Sequence, residues 1–215
     1  MPEPMDAPAA KTTLRPGIAE RLWEASRIEF SLRGYHGARV QGIARRAGCN
    51  VALLYRHWTS KKALYLDLLR SVWQNLRAEV ARGVAPSRGA QGIVASYIDA
   101  HMRDPAGAQI LVREILDGGP FLAQLIAAEP AMMEHVRTLA RAISGAPDPT
   151  QALRPGVDPT LAILSIGGLA AFVAAGHEAA RPYFEAPVPP EVWRRHTYEI
   201  LLHGILPCPP AGEAS

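Results

Sequence analysis

The feature that most limits the fold of this chain is a break at Gly48 between two short apolar periodicities. Val40, Ile43, Ala44 and Ala47 recur at the 3, 4, 7 spacing of one helix face, and Val51 to Tyr55 begin another helix soon after. Gly48 stands just past the last periodic residue, where a left-handed backbone suits glycine, and Asn50 offers a side chain to cap the next helix. The pattern predicts a helix-turn-helix. Its second helix, about Val51 to His57, has the length of a recognition helix that lies in a DNA major groove while its predecessor braces it.

The residues around the break narrow the reading. Gly34-Tyr35, Val40, Ile43-Ala44, Ala47-Gly48, Leu54-Tyr55, His57, Trp58, Ser60-Lys61 and Leu64 together resemble the TetR family of bacterial repressors. The resemblance implies an all-α fold, with an amino-terminal three-helix helix-turn-helix DNA-binding domain and a carboxy-terminal helical domain for ligand binding and dimerisation. Several residues depart from the family pattern. Ala38 stands where the family usually has Thr or Ser, so the helix through Ile43 lacks a cap worth about 1 kcal/mol, for which Gly37 is a partial substitute. Leu53 occupies an often hydroxylic position, and Lys62 replaces a frequent Glu.

With Val40, Ile43, Ala47 and Leu54 assigned inward, Arg39, Gln41, Asn50, Val51, Ala52, Leu53, Tyr55, Arg56 and His57 remain as candidates for DNA contact. The resemblance supports Gln41, the start of the recognition helix, Tyr55, His57 and Lys61 as contact positions. A hydroxyl or imidazole at Tyr55 and His57 would hold phosphates and fix register. Val51, Ala52 and Leu53 form an apolar patch suited to thymine methyl groups, which leaves polar discrimination to Asn50, Gln41 and Arg39. Ser60 is expected to cap the fourth helix. Lys61 and Lys62 then oppose its dipole, a misfit that a DNA phosphate would remove.

Charge has the same polarity. From Lys11 to Lys62 eleven Lys or Arg face Glu20, Glu24 and Glu29, a net of +8, whereas Ala63 to Ser215 has twelve against fifteen acids, a net of −3. A basic head on a mildly acidic body points to a polyanion at one end. Cys49 and Cys208 have no metal-ligand or redox spacing, the run Leu161 to Ala175 is short for a membrane span, and Met1 to Ala10 lacks the apolar core of a signal peptide. These features predict a cytoplasmic protein with no membrane partner. Cys49, beside a helix start, is a packing residue or a redox-sensitive thiol.

The expected domains are an arm over 1–13, a DNA-binding head over 14–60, a helical body over 61–206 and a tail over 207–215. Lys11 and Arg15 of the amino-terminal stretch are candidates for phosphate or minor-groove contact. Helix one should run from Arg15 or Pro16 to Arg33 and helix four from Lys61 to Arg82. Further helices are expected over Ala90 to Asp104, Ala106 to Leu116, Phe121 to Ala128, Ala131 to Ser144, Thr160 to Ala180 and Glu191 to Leu206. The penultimate helix is apolar around most of its circumference and so must be buried on both sides. In the TetR family the last two long helices pair with their copies. The resemblance therefore implies a homodimer bound to double-stranded DNA at a near-palindromic operator and released by a small-molecule effector. Trp73, Tyr97, His101, Met133 and Phe172 are the large residues expected to line the effector pocket.

An enzyme is the competing class, as is a small-molecule-binding helical protein with no DNA role. Among His101, His135, His177, His196 and His203 none falls in a metal-binding spacing, and neither a phosphate loop nor a nucleophile elbow occurs, so no catalytic residue, metal or cofactor is expected.

Overall fold

The computed structural model describes residues 17–83, 89–145 and 153–205. The expected arm and tail, with Lys11, Arg15 and Cys208, lie outside them. All regular elements among the described residues are helical. Helix α1 (Ile18–Gly37) opens with the Gly17 N–H donating to Glu20 Oε2 at 3.0 Å. Gly34 takes φ 64° inside it, so the regular helix ends at Arg33 as expected and an irregular turn completes the element.

The reading head continues with α2 (Val40–Arg46) and α3 (Val51–His57). Gly48 adopts φ 68° in the turn, the left-handed conformation its position requires. Asn50 Oδ1 then accepts the Leu53 N–H at 3.0 Å and caps α3. Helix α4 (Lys61–Gly83) is capped in the same way, the Ala63 N–H donating to Ser60 Oγ at 3.0 Å.

The body comprises α5 (Gly89–Arg103), α6 (Pro105–Leu116), α7 (Pro120–Ala128), α8 (Ala131–Ser144), α9 (Pro159–Gly176) and α10 (Pro190–Ile205). Four of these helices begin on a proline one residue earlier than expected, because Pro105, Pro120, Pro159 and Pro190 open α6, α7, α9 and α10 instead of standing outside them. Asp104 and Asp158 supply caps, accepting from Gly107 N–H at 2.9 Å and Leu161 N–H at 2.8 Å. Helix α9 stops at Gly176, short of the expected Ala180, and a 3-10 turn at Arg181–Tyr183 follows.

Two large apolar cores, with a small alanine cluster of Ala108, Ala171 and Ala174 between α6 and α9, hold these elements. One joins Leu22, Phe30, Ile43, Leu54, Leu64 and Tyr65 to Ile110 of α6 and Leu125 of α7. The other gathers Val80, Ile93, Val94, Ile143, Ile163, Ile166, Leu201 and Ile205. The first core runs through the expected boundary at 60/61, so head and body share buried surface. An ion pair reinforces the contact, with Arg27 of α1 and Asp104 at the α5–α6 corner 2.5 Å apart.

Helix α9 meets within the chain only one side of the burial expected of it, the other side having been expected from a second copy. It is not covered on both sides within the chain: Ile163, Ile166 and Ala170 are buried, while Leu161, Leu164 and Phe172 are exposed. Its eighteen residues are also long and apolar enough to cross a membrane by length and composition, which the shorter run Leu161 to Ala175 did not suggest. A third of that stretch is buried inside the chain.

Candidate nucleic-acid interface

Helix α3 is pinned by one residue. Leu54 is fully buried against Ile43 and Leu64, while Asn50, Ala52, Tyr55, Arg56 and His57 are exposed and Val51 and Leu53 are half-buried. The pinning follows from length: seven residues give two turns, and one fully buried anchor leaves most of the circumference accessible. Arg39 and Gln41 are exposed at the start of α2. Asn50 Oδ1 is committed to its cap, so only the amide NH2 is left for a base.

Lys61 has a partner within the chain. Its Nζ lies 4.6 Å from the centroid of the Tyr35 ring, and burial holds its pKa below the ordinary lysine value. The ring face offsets the unfavourable helix dipole that was expected to call for phosphate. Lys62 is exposed.

The cap missing from α2 is real but falls one residue later than the sequence suggests. Ala38 is buried, and the capping position is Arg39, which makes no side-chain capping bond. Its backbone N–H instead faces Glu29 Oε1 of α1 at 3.5 Å, so a carboxylate from the neighbouring helix takes the part assigned to Gly37. Sequence reasoning passed over Glu29 and the arginines around it, Arg33, Arg45 and Arg46, which line a cleft with Arg39 and Gln41. The density of arginine in α2 was the available signal. Trp23 stacks on Trp58 at 6.2 Å, Trp58 Nε1 donates to Asp67 at 3.1 Å, and Arg21 Nε donates to the Ala47 carbonyl at 3.2 Å, all bracing the turn. Cys49 is half-buried and packs against the head core as a free thiol.

Residues 22–68, which run from α1 to the first turns of α4 and include this whole surface, match the family model described as bacterial regulatory proteins, tetR family. This segment is thus similar to the amino-terminal part of TetR-family regulators. Among curated relatives, the uncharacterized HTH-type transcriptional regulator YdgC of Bacillus subtilis is 34% identical over 58 residues, 27% of this chain and 30% of that one. The HTH-type transcriptional regulator RutR of Escherichia coli is 28% identical over 96 residues, 43% of this chain and 45% of that one. The chain thus spans less than half the length of the curated relatives it matches. A solved TetR-family regulatory protein from Rhodococcus RHA1 shares the fold along the chain, with a TM-score of 0.68 and 19% identity over 91% of this chain and all of that one.

The residues proposed for an effector pocket fall in separate places of the helical body. Trp73 of α4 meets the edge of His135 of α8 at 6.0 Å and carries the Arg77 guanidinium over its face at 5.5 Å. Tyr97 and His101 stack on each other at 6.4 Å along α5. Both are buried, and a Cβ at Gly167 of α9 would stand 3.2 Å from the Tyr97 ring, so that glycine makes room for it. Met133 is half-buried on α8, and Phe172 points outward. His101 lines a cleft of about 310 Å³ between α4, α5 and α6, shared with Asn75, Glu79 and Asp104 but with none of the other four. Burial pushes its pKa down to about 4, against the opposing pull of Asp104, so the ring is neutral. Burial pushes the Tyr97 hydroxyl up to about 12.

Sequence reasoning missed two buried polar groups. Glu114 is fully buried, accepts from Tyr65 OH at 3.1 Å, and accepts the Phe121 and Leu122 N–H groups at 2.7 and 3.0 Å. Burial first, then the Glu114 charge, drives the Tyr65 pKa well above the ordinary phenol value. His135 has a buried Nε2 without a hydrogen-bond partner among the described residues. Glu114 does not show as a motif, because Tyr65 lies 49 residues away in the chain. No group of three or more metal-binding side chains occurs among the described residues.

Proposed function

We propose that the protein is a cytoplasmic transcriptional regulator that represses as a homodimer, each head reading half of a near-palindromic operator, until a small-molecule effector weakens the grip. One observation carries the reading. In a segment matching the TetR family, the seven-residue α3 buries Leu54 and exposes Ala52, Tyr55, Arg56 and His57 beside the exposed arginines of α2. Such a surface fits a major groove, with the arginines toward the phosphates.

The exposed faces of α9 and α10 support the dimer. Leu161, Leu164 and Phe172 stand at helical spacing on one side of α9, with Val192 and Ile200 exposed on α10. A second copy would cover this apolar stripe by an isologous contact. The ion pair from Asp104 to Arg27 supports a route for the effector, because Asp104 also lines the cleft at His101. A small molecule that draws Asp104 away would release α1 and tilt the head. Reciprocity then requires operator and effector to weaken each other by the same factor.

Selection of duplexes from a random pool, followed by binding titrations over a range of salt, tests the reading. The expected result is an enriched near-palindrome with half-sites about 10 base pairs apart and an affinity that falls steeply with salt. A protein that ignores every duplex at low ionic strength would instead be a helical ligand-binding protein with no DNA role. Turnover of a ligand without DNA binding would favour an enzyme.

A further inference from the structure

A buried carboxylate sits beneath the arginines of the head. Glu29 lies on α1 with its side chain only 7% exposed, and such a charge is costly unless paired. Its partners are Arg33 Nε at 3.1 Å and the more distant Arg39 N–H at 3.5 Å. Gly42 of α2 lies directly against it: a Cβ there would come within 3.0 Å of Glu29 Oε1 and 3.3 Å of its Cδ. The absence of a side chain at 42 is therefore what lets the carboxylate reach α2.

The rim of the same cleft carries Arg33, Arg39, Arg45 and Arg46 beside Gln41. Among the described residues Arg39, Arg45 and Arg46 form no ion pair. Arg33, by contrast, is held from inside by Glu29 although its own side chain is 61% exposed. Three guanidinium groups are free to meet phosphate, and the fourth is withheld.

We propose that Glu29 is a positioning residue of the DNA-binding head, a built-in counter-anion that keeps Arg33 off the DNA backbone and leaves Arg39, Arg45 and Arg46 to face it. The inference rests on the DNA-binding reading above and adds to it how many cations of this cleft are spent on the duplex. The physical basis is competition for one guanidinium between a phosphate, which must bring its counterions and solvation into play, and a carboxylate already desolvated within bonding distance.

The test uses the full chain and a labelled duplex of random sequence, since non-specific affinity reports phosphate contacts alone. The variant Glu29→Gln keeps the shape beside Gly42 and an oxygen toward the Arg39 N–H while freeing Arg33. Its plot of log affinity against log salt should steepen by about 0.9 relative to the wild type, a roughly threefold larger fall between about 50 and 200 mM salt. Arg33→Ala alone should leave the wild-type slope unchanged. The double variant should return to that slope, which a merely structural role for Glu29 would not produce. An unchanged slope in a folded Glu29→Gln overturns the proposal. So does a wild-type slope that flattens by about one unit in Arg33→Ala, because Arg33 would then already be on the backbone, and this second arm decides even if Glu29→Gln does not fold. If the wild type binds no duplex, the DNA-binding reading falls and this inference with it, whereas duplex binding with either failure above overturns the inference alone.

Discussion

At the scale of single residues, the informative positions are polar groups inside the apolar packing. His101 shows how such a group links to stability. Its ring is buried and neutral, with a pKa lowered to about 4, whereas in the unfolded chain it titrates near 6.5. As pH falls from about 6.5 toward 4 the unfolded chain takes up the proton first, so stability is lost over that window and is fully present above it. The full effect is on the order of 3 kcal/mol. Burial lowers His135 in the same direction, so it adds to the acid sensitivity. Urea denaturation across that pH range should show His101→Gln losing less stability on acidification than the wild type; an identical pH dependence would mean that the ring is not buried in its neutral form. His101 could be singled out in the sequence as a large polar residue in an apolar helix, but its desolvation could not, because the cover comes from α4 and α6.

At the scale of elements, short helices are held by groups donated from their neighbours. Helix α7 begins at Pro120 with no side-chain cap of its own, and Glu114 of α6 accepts its first free N–H groups while also receiving Tyr65 OH from α4. Three helices meet at one carboxylate. Tyr65→Phe removes one donor and should cost about 1 kcal/mol, whereas Glu114→Ala leaves two backbone N–H groups and a hydroxyl without their acceptor and should cost at least roughly 3 kcal/mol. Equilibrium unfolding of the two variants checks the order, and equal costs would show that α7 does not depend on Glu114. Helix boundaries set by local chemistry were readable: Gly48, Asn50 and Ser60 act as their residue types predict. The tertiary acceptors Glu29 and Glu114 were not, since a carboxylate reads as solvated surface until its neighbours across the chain are placed.

At the scale of the whole molecule, the proposed dimer rests on the outward stripe of α9 and α10. Leu164→Glu with Phe172→Glu changes exposed residues of the single chain and should leave its folding nearly intact. In sedimentation at micromolar concentration the wild type should be a dimer and the double variant a monomer, with binding to a palindromic duplex weaker by roughly 100-fold, as expected when two linked grips become one. A double variant that still dimerises would place the interface elsewhere. By itself the sequence determined the helical class, the break at Gly48, the inward anchor Leu54 of α3 and the basic end of the molecule, because apolar periodicity, capping and charge are properties of neighbouring residues. Only the tertiary structure decided that head and body share one core, that Trp73, Tyr97 and Phe172 lie apart, and that Glu29 faces Arg33 beneath α2, because burial and pairing depend on which distant surfaces the fold brings within a few ångströms.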